Sequence, residues 1–154
     1  MILKQQQPVA KDLRQISSAL KMITDMERIG DQASDIAEIV TTSDLRDEIH
    51  NSHIDRMAQA TIGMVSMAID AYVKRDLDIA QNVFDSDDTV DELFIKIRND
   101  LIEQVQISKN PVQGEHIMDI LMIAKYLERI GDHATNIAGW VRFAVTGQHG
   151  KTAL

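Results

Sequence analysis

The sequence predicts an all-α fold: an antiparallel three-helix bundle with one further long helix beside it, four long helices in all. Three observations carry this. Only 4% of the 154 residues are aromatic, with seven Gly and two Pro, a composition that suits long helices and disfavours β-sandwiches and barrels. Apolar residues recur at spacings of three and four. A stretch near the N-terminus returns near the C-terminus.

Taken in chain order, the elements follow from their breakers. Pro8 precedes the first periodic stretch, predicted as a helix over about 9–41. Thr41-Thr42-Ser43-Asp44 interrupts it, with Asp44 as N-cap of a second helix over 45–74. Lys74-Arg75-Asp76 is a weaker break, where Asp76 caps a helix over 77–107. Ser108-Lys109-Asn110-Pro111 is the clearest, with Asn110 as N-cap and Pro111 at the first position of a helix over 111–145. The third helix carries Ala80, Val83, Val90, Phe94, Ile97 and Leu101 on one seam. The fourth carries Ile117, Ile120, Ala124, Leu127, Ala134, Ala138 and Val141. Such seams belong to helices packed nearly antiparallel, and short links make sequential helices neighbours. Met57, Met64 and Met67 fall at helical spacing and read as core filler.

Charge and composition exclude several functions. Sixteen Lys and Arg stand against twenty-four Asp and Glu, a net charge of −8, which argues against binding nucleic-acid phosphates. The absence of Cys removes disulfides, thiolate metal sites, iron–sulfur clusters and cysteine nucleophiles. No apolar run approaches the ~18 residues of a membrane span, and the stretch from Met1 to Pro8 lacks the pattern of a signal peptide. The expectation is a cytoplasmic protein. The five histidines, His50, His53, His116, His133 and His149, are scattered and read as surface or helix-edge residues.

The repeat is the strongest signal. Shifted by 101 residues, Glu27-Arg28-Ile29-Gly30-Asp31 falls on Glu128-Arg129-Ile130-Gly131-Asp132, identical at all five, and nine of the fourteen positions from Glu27 to Val40 match. The chain therefore contains parts of a duplicated unit.

Each copy carries an acidic ladder. Glu27, Asp31 and Asp35 stand at i, i+4 and i+8, as do Glu128, Asp132 and Asn136, which places three oxygen-bearing side chains along one helix face. Like charges four apart cost a helix ~0.2–0.5 kcal/mol per pair, so Arg28 and Arg129, or a bound cation, should compensate. In the third helix Asp87 takes a seam position and Asp91 follows at i+4. Folding that helix against the fourth about Lys109 leaves Asp87 22 residues before the turn and Asp132 23 after it. Asp91 and Glu128 are likewise 18 before and 19 after. The acids should come level, repel, and favour either protonation or a hard cation such as iron, manganese or magnesium. The bland alternative is a solvated acidic face.

The doubled Glu-Arg-Ile-Gly-Asp motif resembles the PhoU family, regulators of phosphate uptake and of the phosphate-starvation response. Gln7-Pro8-Val9-Ala10-Lys11-Asp12-Leu13-Arg14 resembles the entry to the last helix of that family's first repeat. Val73-Lys74-Arg75-Asp76-Leu77-Asp78 and Asp87-Asp88-Thr89-Val90-Asp91 resemble the middle of its second. The resemblance covers about residues 5–147. It implies that 1–42 is the last helix of a first repeat lacking its first two helices, that 43–147 is a complete second repeat, and that 148–154 is a frayed tail. It further implies metal-ligand roles for Glu27, Asp31, Asp35, Asp87, Asp91, Glu128, Asp132 and Asn136, with an iron cluster, or Mg, Mn or Zn, as the metal. The implied function is a non-catalytic adaptor and negative regulator. It would contact the phosphate ABC transporter ATPase and a phosphate sensor kinase, in the cytoplasm or at the inner face of the membrane.

Two other functions stay open on the residues alone: a metal-dependent phosphoester hydrolase and a purely structural helical module. The first helix carries Ile16, Leu20, Ile23, Met26, Ile29, Ala33, Ile36 and Val40, a full core face with no partner helices before it, so self-association as a homo-oligomer, a dimer in the simplest case, is expected.

Overall fold

In the computed structural model, which describes residues 2–148 (side chains for 9–148 apart from residue 51), the chain is helical throughout. Helix α1 spans Ile2–Thr42, α2 Arg46–Asn51, α3 Ile54–Lys74, α4 Leu77–Ile107 and α5 Pro111–Thr146. Four long helices form as expected, with one short addition. Among the described residues no helix is long and apolar enough to cross a membrane. The frayed-tail expectation falls mainly on 149–154, outside the described residues.

Two caps are as predicted. The Asp76 side chain accepts from the backbone N–H groups of Asp78 and Ile79 at 2.9 and 3.1 Å. Asn110 accepts from Gln113 N–H at 2.9 Å, with Pro111 starting the helix. Each satisfies donors that the first turn leaves orphaned.

Three expectations need correction. Pro8 does not precede the first helix but lies within it, because α1 begins at Ile2; past the first turn a proline removes a backbone donor and crowds the carbonyl four residues before it, so it stands there at a cost. The predicted helix over 45–74 is broken into α2 and α3 at Ser52 and His53. The Ser52 hydroxyl donates to Ile49 O at 3.1 Å and accepts from Ile54 N–H at 3.3 Å, competing locally with the helical ladder. Asp44 does not cap: α2 starts after Leu45, which makes no side-chain cap and is buried in the core.

Helices α3, α4 and α5 pack pairwise around one core. The fourth-helix seam, Ile117 to Val141, is buried as predicted, and so are Ala80, Val83, Val90, Ile97 and Leu101 of the third, with Phe94 half-buried. Met57 and Met64 are fully buried and Met67 half-buried. Both α3 and α4 reach Gly131: a Cβ there would make ordinary contacts at 3.6 Å with Met64 Sδ and 3.7 Å with Val90 Cγ1. The α3–α4 turn uses Arg75 in the left-handed region at φ 53°, with Asp76 N–H closing on Ala71 O at 3.1 Å.

Among the described residues α1 packs on α5 alone. The two run antiparallel: Ser43 Oγ donates to Asp119 Oδ2 at 2.9 Å at one end, and Gly147 approaches Arg14 at the other. Met22, Met26, Ile29, Ile36 and Ile39 pack against the core. The eight-residue apolar face expected of this helix is therefore divided. Met26, Ile29 and Ile36 turn inward, while Ile16, Leu20, Ile23 and Val40 stay exposed.

Candidate functional site

The second acidic ladder lies on α5, with α4 packed beside it. Asp87 is buried, while Asp91 and Glu128 are half-buried. Asp132 sits at the rim, partly in solvent, with its carboxyl held above the usual carboxylate range. Partial burial is the largest cause, followed by the negative charges of Asp87, Glu128 and Asp91; His133 acts in the opposite sense. The four acids therefore act on one another across the α4–α5 pair.

The neighbouring cation is not the one expected. Lys125 donates to Glu128 Oε1 at 3.0 Å and lies 4.8 Å from the centre of the Phe94 ring. Arg129 lies over Tyr126 at 5.7 Å. Lys125 sits three residues before Glu128, on the same face; Arg129, the next residue along, points about 100° away.

Asn136, third on this ladder, donates through Nδ2 to Asp25 Oδ1 at 3.3 Å. The same oxygen accepts from His133 Nδ1 at 2.9 Å. Asn136 thus faces α1, whereas Asp87 and Asp91 of α4 lie within electrostatic reach of Asp132. On the first ladder Glu27 and Asp31 are exposed and Asp35 is half-buried. Nothing lies within 4 Å of where a Cβ on Gly30 would stand.

As a metal site, the second ladder offers an all-oxygen donor set from two helices, the chemistry of a hard cation. Among the described residues, however, no three His, Asp or Glu side chains converge as a ready-made ligand set. The donor types fit a hard cation; their side chains would have to swing inward to share one.

Several polar contacts escaped sequence reasoning. Asp25 is buried on the face of α1 that meets α5, between Met22 and Ile29. An acid within that apolar stripe is the sequence signal for this contact. His116 Nδ1 lies 2.6 Å from Glu48 Oε1, at the mouth of a cavity of about 210 Å³ also lined by Gln104, Gln113, Ile117 and Ile120. His53 stands 3.8 Å from Asp100. Three of the histidines read as scattered surface residues are therefore placed against acids. Arg142, buried, donates to Gln81 Oε1 at 2.7 Å and lies 4.6 Å over the Phe84 ring.

Comparison with known proteins places this geometry in context. The model of the PhoU domain matches residues 1–40 and 54–141. The chain is 38% identical over 151 residues to a phosphate-specific transport system accessory protein PhoU homolog of Clostridium acetobutylicum, covering 96% of this chain and 67% of that relative. It is 37% identical over 145 residues to the corresponding protein of Caulobacter vibrioides, covering 92% of this chain and 62% of that relative. The chain thus spans about two thirds of the length of the relatives it matches. The crystal structure of PhoU from Pseudomonas aeruginosa superimposes with a TM-score of 0.77 at 35% identity, over 96% of this chain and 70% of that one. The structure of the phosphate transport system regulatory protein PhoU from Streptococcus pneumoniae, at 21% identity and a TM-score of 0.81, shares the fold.

Proposed function

The chain belongs to the PhoU domain family, and on that premise we propose that it is a non-catalytic accessory regulator of phosphate uptake. It works by protein contact and is tuned by a hard cation bound between α4 and α5. The relatives' role as accessory proteins of phosphate-specific transport systems supports the regulatory part. The partners proposed are the ATPase of the phosphate ABC transporter and a phosphate sensor kinase, with the regulator damping uptake and signalling when phosphate is ample.

The observation that carries the cation is the raised carboxyl of Asp132, pushed up in part by Asp87, Glu128 and Asp91. Those four residues would hold the metal. A cation held there would offset their mutual repulsion. The chain's own residues do the rest: Lys125 neutralises Glu128 from the side, and Asp87 and Asp91 act on Asp132 from α4. Iron is the metal proposed, with Mg, Mn and Zn as alternatives. The exposed first ladder, Glu27, Asp31 and Asp35, should bind more weakly, because among the described residues no helix brings acids opposite it.

Two measurements on purified protein test this. Elemental analysis after loading with iron or manganese should show metal lost in Asp132→Asn and largely kept in Asp31→Asn; the reverse order would overturn the assignment to the second ladder. A pull-down with purified transporter ATPase and sensor kinase tests the partners, and failure to retain either removes the regulatory reading.

A further inference from the structure

Two cavities adjoin beside α2. The one bordered by His116 and Glu48 holds about 210 Å³. A second, of about 250 Å³, takes in Asp47 and Leu101 and shares Glu48, Gln104 and Ile120 with the first. Their walls come from α2 and its C-cap Ser52, the end of α4, the turn after it and the start of α5. No residue of α1 lines either.

The groove has an apolar floor and a one-sided charge. Leu101, Ile117 and Ile120 are buried in the core beneath it, while Ile107 at its edge is 74% exposed. Ile102, Val105 and Val112, gathered at the same turn, are each more than half exposed, the mark of a surface made for contact. Asp47 and Glu48 are the acids of the lining, and neither cavity is lined by Lys or Arg. Arg46 and Lys109, next in sequence to lining residues, are exposed and line neither. Such a lining repels anions, phosphate included, and attracts a cation with an aliphatic body. His116 engages Glu48 Oε1, and among the described residues Glu48 Oε2 and the Gln104 amide have no partner. At about 210 Å³ the first cavity falls below the ~300–1,000 Å³ of pockets that enclose a whole small ligand. It suits one long side chain.

We propose that this groove receives an arginine side chain of a partner protein, presented between apolar residues that cover the α4–α5 turn. The aliphatic stem lies along Ile117 and Ile120, as long cationic side chains lie along apolar surface. The guanidinium meets Glu48, whose carboxylate matches its fork of donors. The flanking apolar residues of the partner cover Ile107 and Val112. The site rests on the reading of this chain as a regulator that works by protein contact, and it names where that contact is made.

The test is titration of the whole chain, followed by amide NMR, with the peptide acetyl-Leu-Arg-Leu-amide. Saturable shifts should centre on Glu48, Gln104 and His116, with a dissociation constant at or below about 1 mM. The peptides with norleucine or Glu in place of the arginine should bind at least about tenfold more weakly. Glu48→Gln keeps an acceptor for His116 and should weaken the arginine peptide at least about tenfold with helix content by circular dichroism unchanged. Ile107→Ser, at a side chain too exposed to unfold the bundle, should weaken it severalfold. Asp70→Asn, at an exposed acid of α3, should not. Absence of saturable shifts, equal binding of the norleucine peptide, or indifference to Glu48→Gln overturns the proposal. So does agmatine binding as tightly as the peptide, which would make the occupant a free amine, or shifts at the same residues on dilution alone, which would make it a second copy. The peptide readout needs neither the transporter ATPase nor the kinase. Loss of peptide binding therefore rejects this site alone, and a failed pull-down with peptide binding intact rejects the regulatory reading alone.

Discussion

Asp25 of α1 and His133 of α5 meet across the interface between the two helices, Oδ1 to Nδ1 at 2.9 Å, and the Asn136 amide donates to the same oxygen at 3.3 Å. One largely buried carboxylate therefore collects two donors from the opposite helix and fixes the register in which α1 lies on α5. Asp25→Ala removes the acceptor of both donors, which the exposed Asn136 and half-buried His133 can in part replace by water, and should cost about 0.5–1.5 kcal/mol. Asp25→Asn keeps an acceptor oxygen and should cost less. Urea unfolding of the two variants beside the wild type measures the difference; an Ala variant as stable as the wild type would remove the interface role of Asp25.

Asp132 gives a pH dependence of defined sign. Its folded-state carboxyl is raised by burial and by Asp87, Glu128 and Asp91, so the folded protein holds that proton more tightly than the unfolded chain. The associated stability is fully present below the ordinary carboxylate value and is lost as pH rises through the raised folded value. Chelator-treated protein should accordingly gain stability from this group as pH falls into that window. Asp132→Asn should be more stable than the wild type at neutral pH without metal, and the two should converge in acid. Melting temperatures at a series of pH values, with chelator present, decide it; a variant that melts lower than the wild type at neutral pH contradicts the sign.

Gly30 sits in the interior of α1 with open space where a side chain would begin. Gly30→Ala should stabilise the protein by about 0.5–1 kcal/mol through helix propensity and a less flexible unfolded chain. For a chain of this size that is a rise in melting temperature of about 1–4 °C, read by thermal circular dichroism. No gain would mean that something covers this face of α1 and resists even a methyl group.

Arg75 holds the left-handed conformation, φ 53°, that closes α3 before Asp76 opens α4. This conformation suits glycine, so Arg75→Gly should stabilise the turn by about 1 kcal/mol. Chemical denaturation measures it, and a loss would show that the arginine side chain contributes more than its backbone strain costs.

The sequence alone determined the helical class, the caps at Asp76 and Asn110 and the buried seams of α4 and α5. It also determined that Asp87 and Asp91 come within electrostatic reach of Asp132. That proximity is legible because α4 and α5 are uninterrupted helices joined by a short turn, so a constant rise per residue fixes which stretches come together. The break at Ser52 was not legible, since a serine hydroxyl can either face solvent or bond the local backbone, and its surroundings select between them.

Only the tertiary structure decided how α1 lies. That helix carries two apolar stripes on opposite sides, one through Met22, Ile29 and Ile36 and one through Leu13, Ile16 and Leu20. Periodicity marks both as fit for burial and cannot rank them. Which stripe is covered depends on the shape and hydrogen-bonding groups of α5, about 100 residues further along the chain. There His133 and Asn136 meet Asp25, and a buried carboxylate is stable where donors await it.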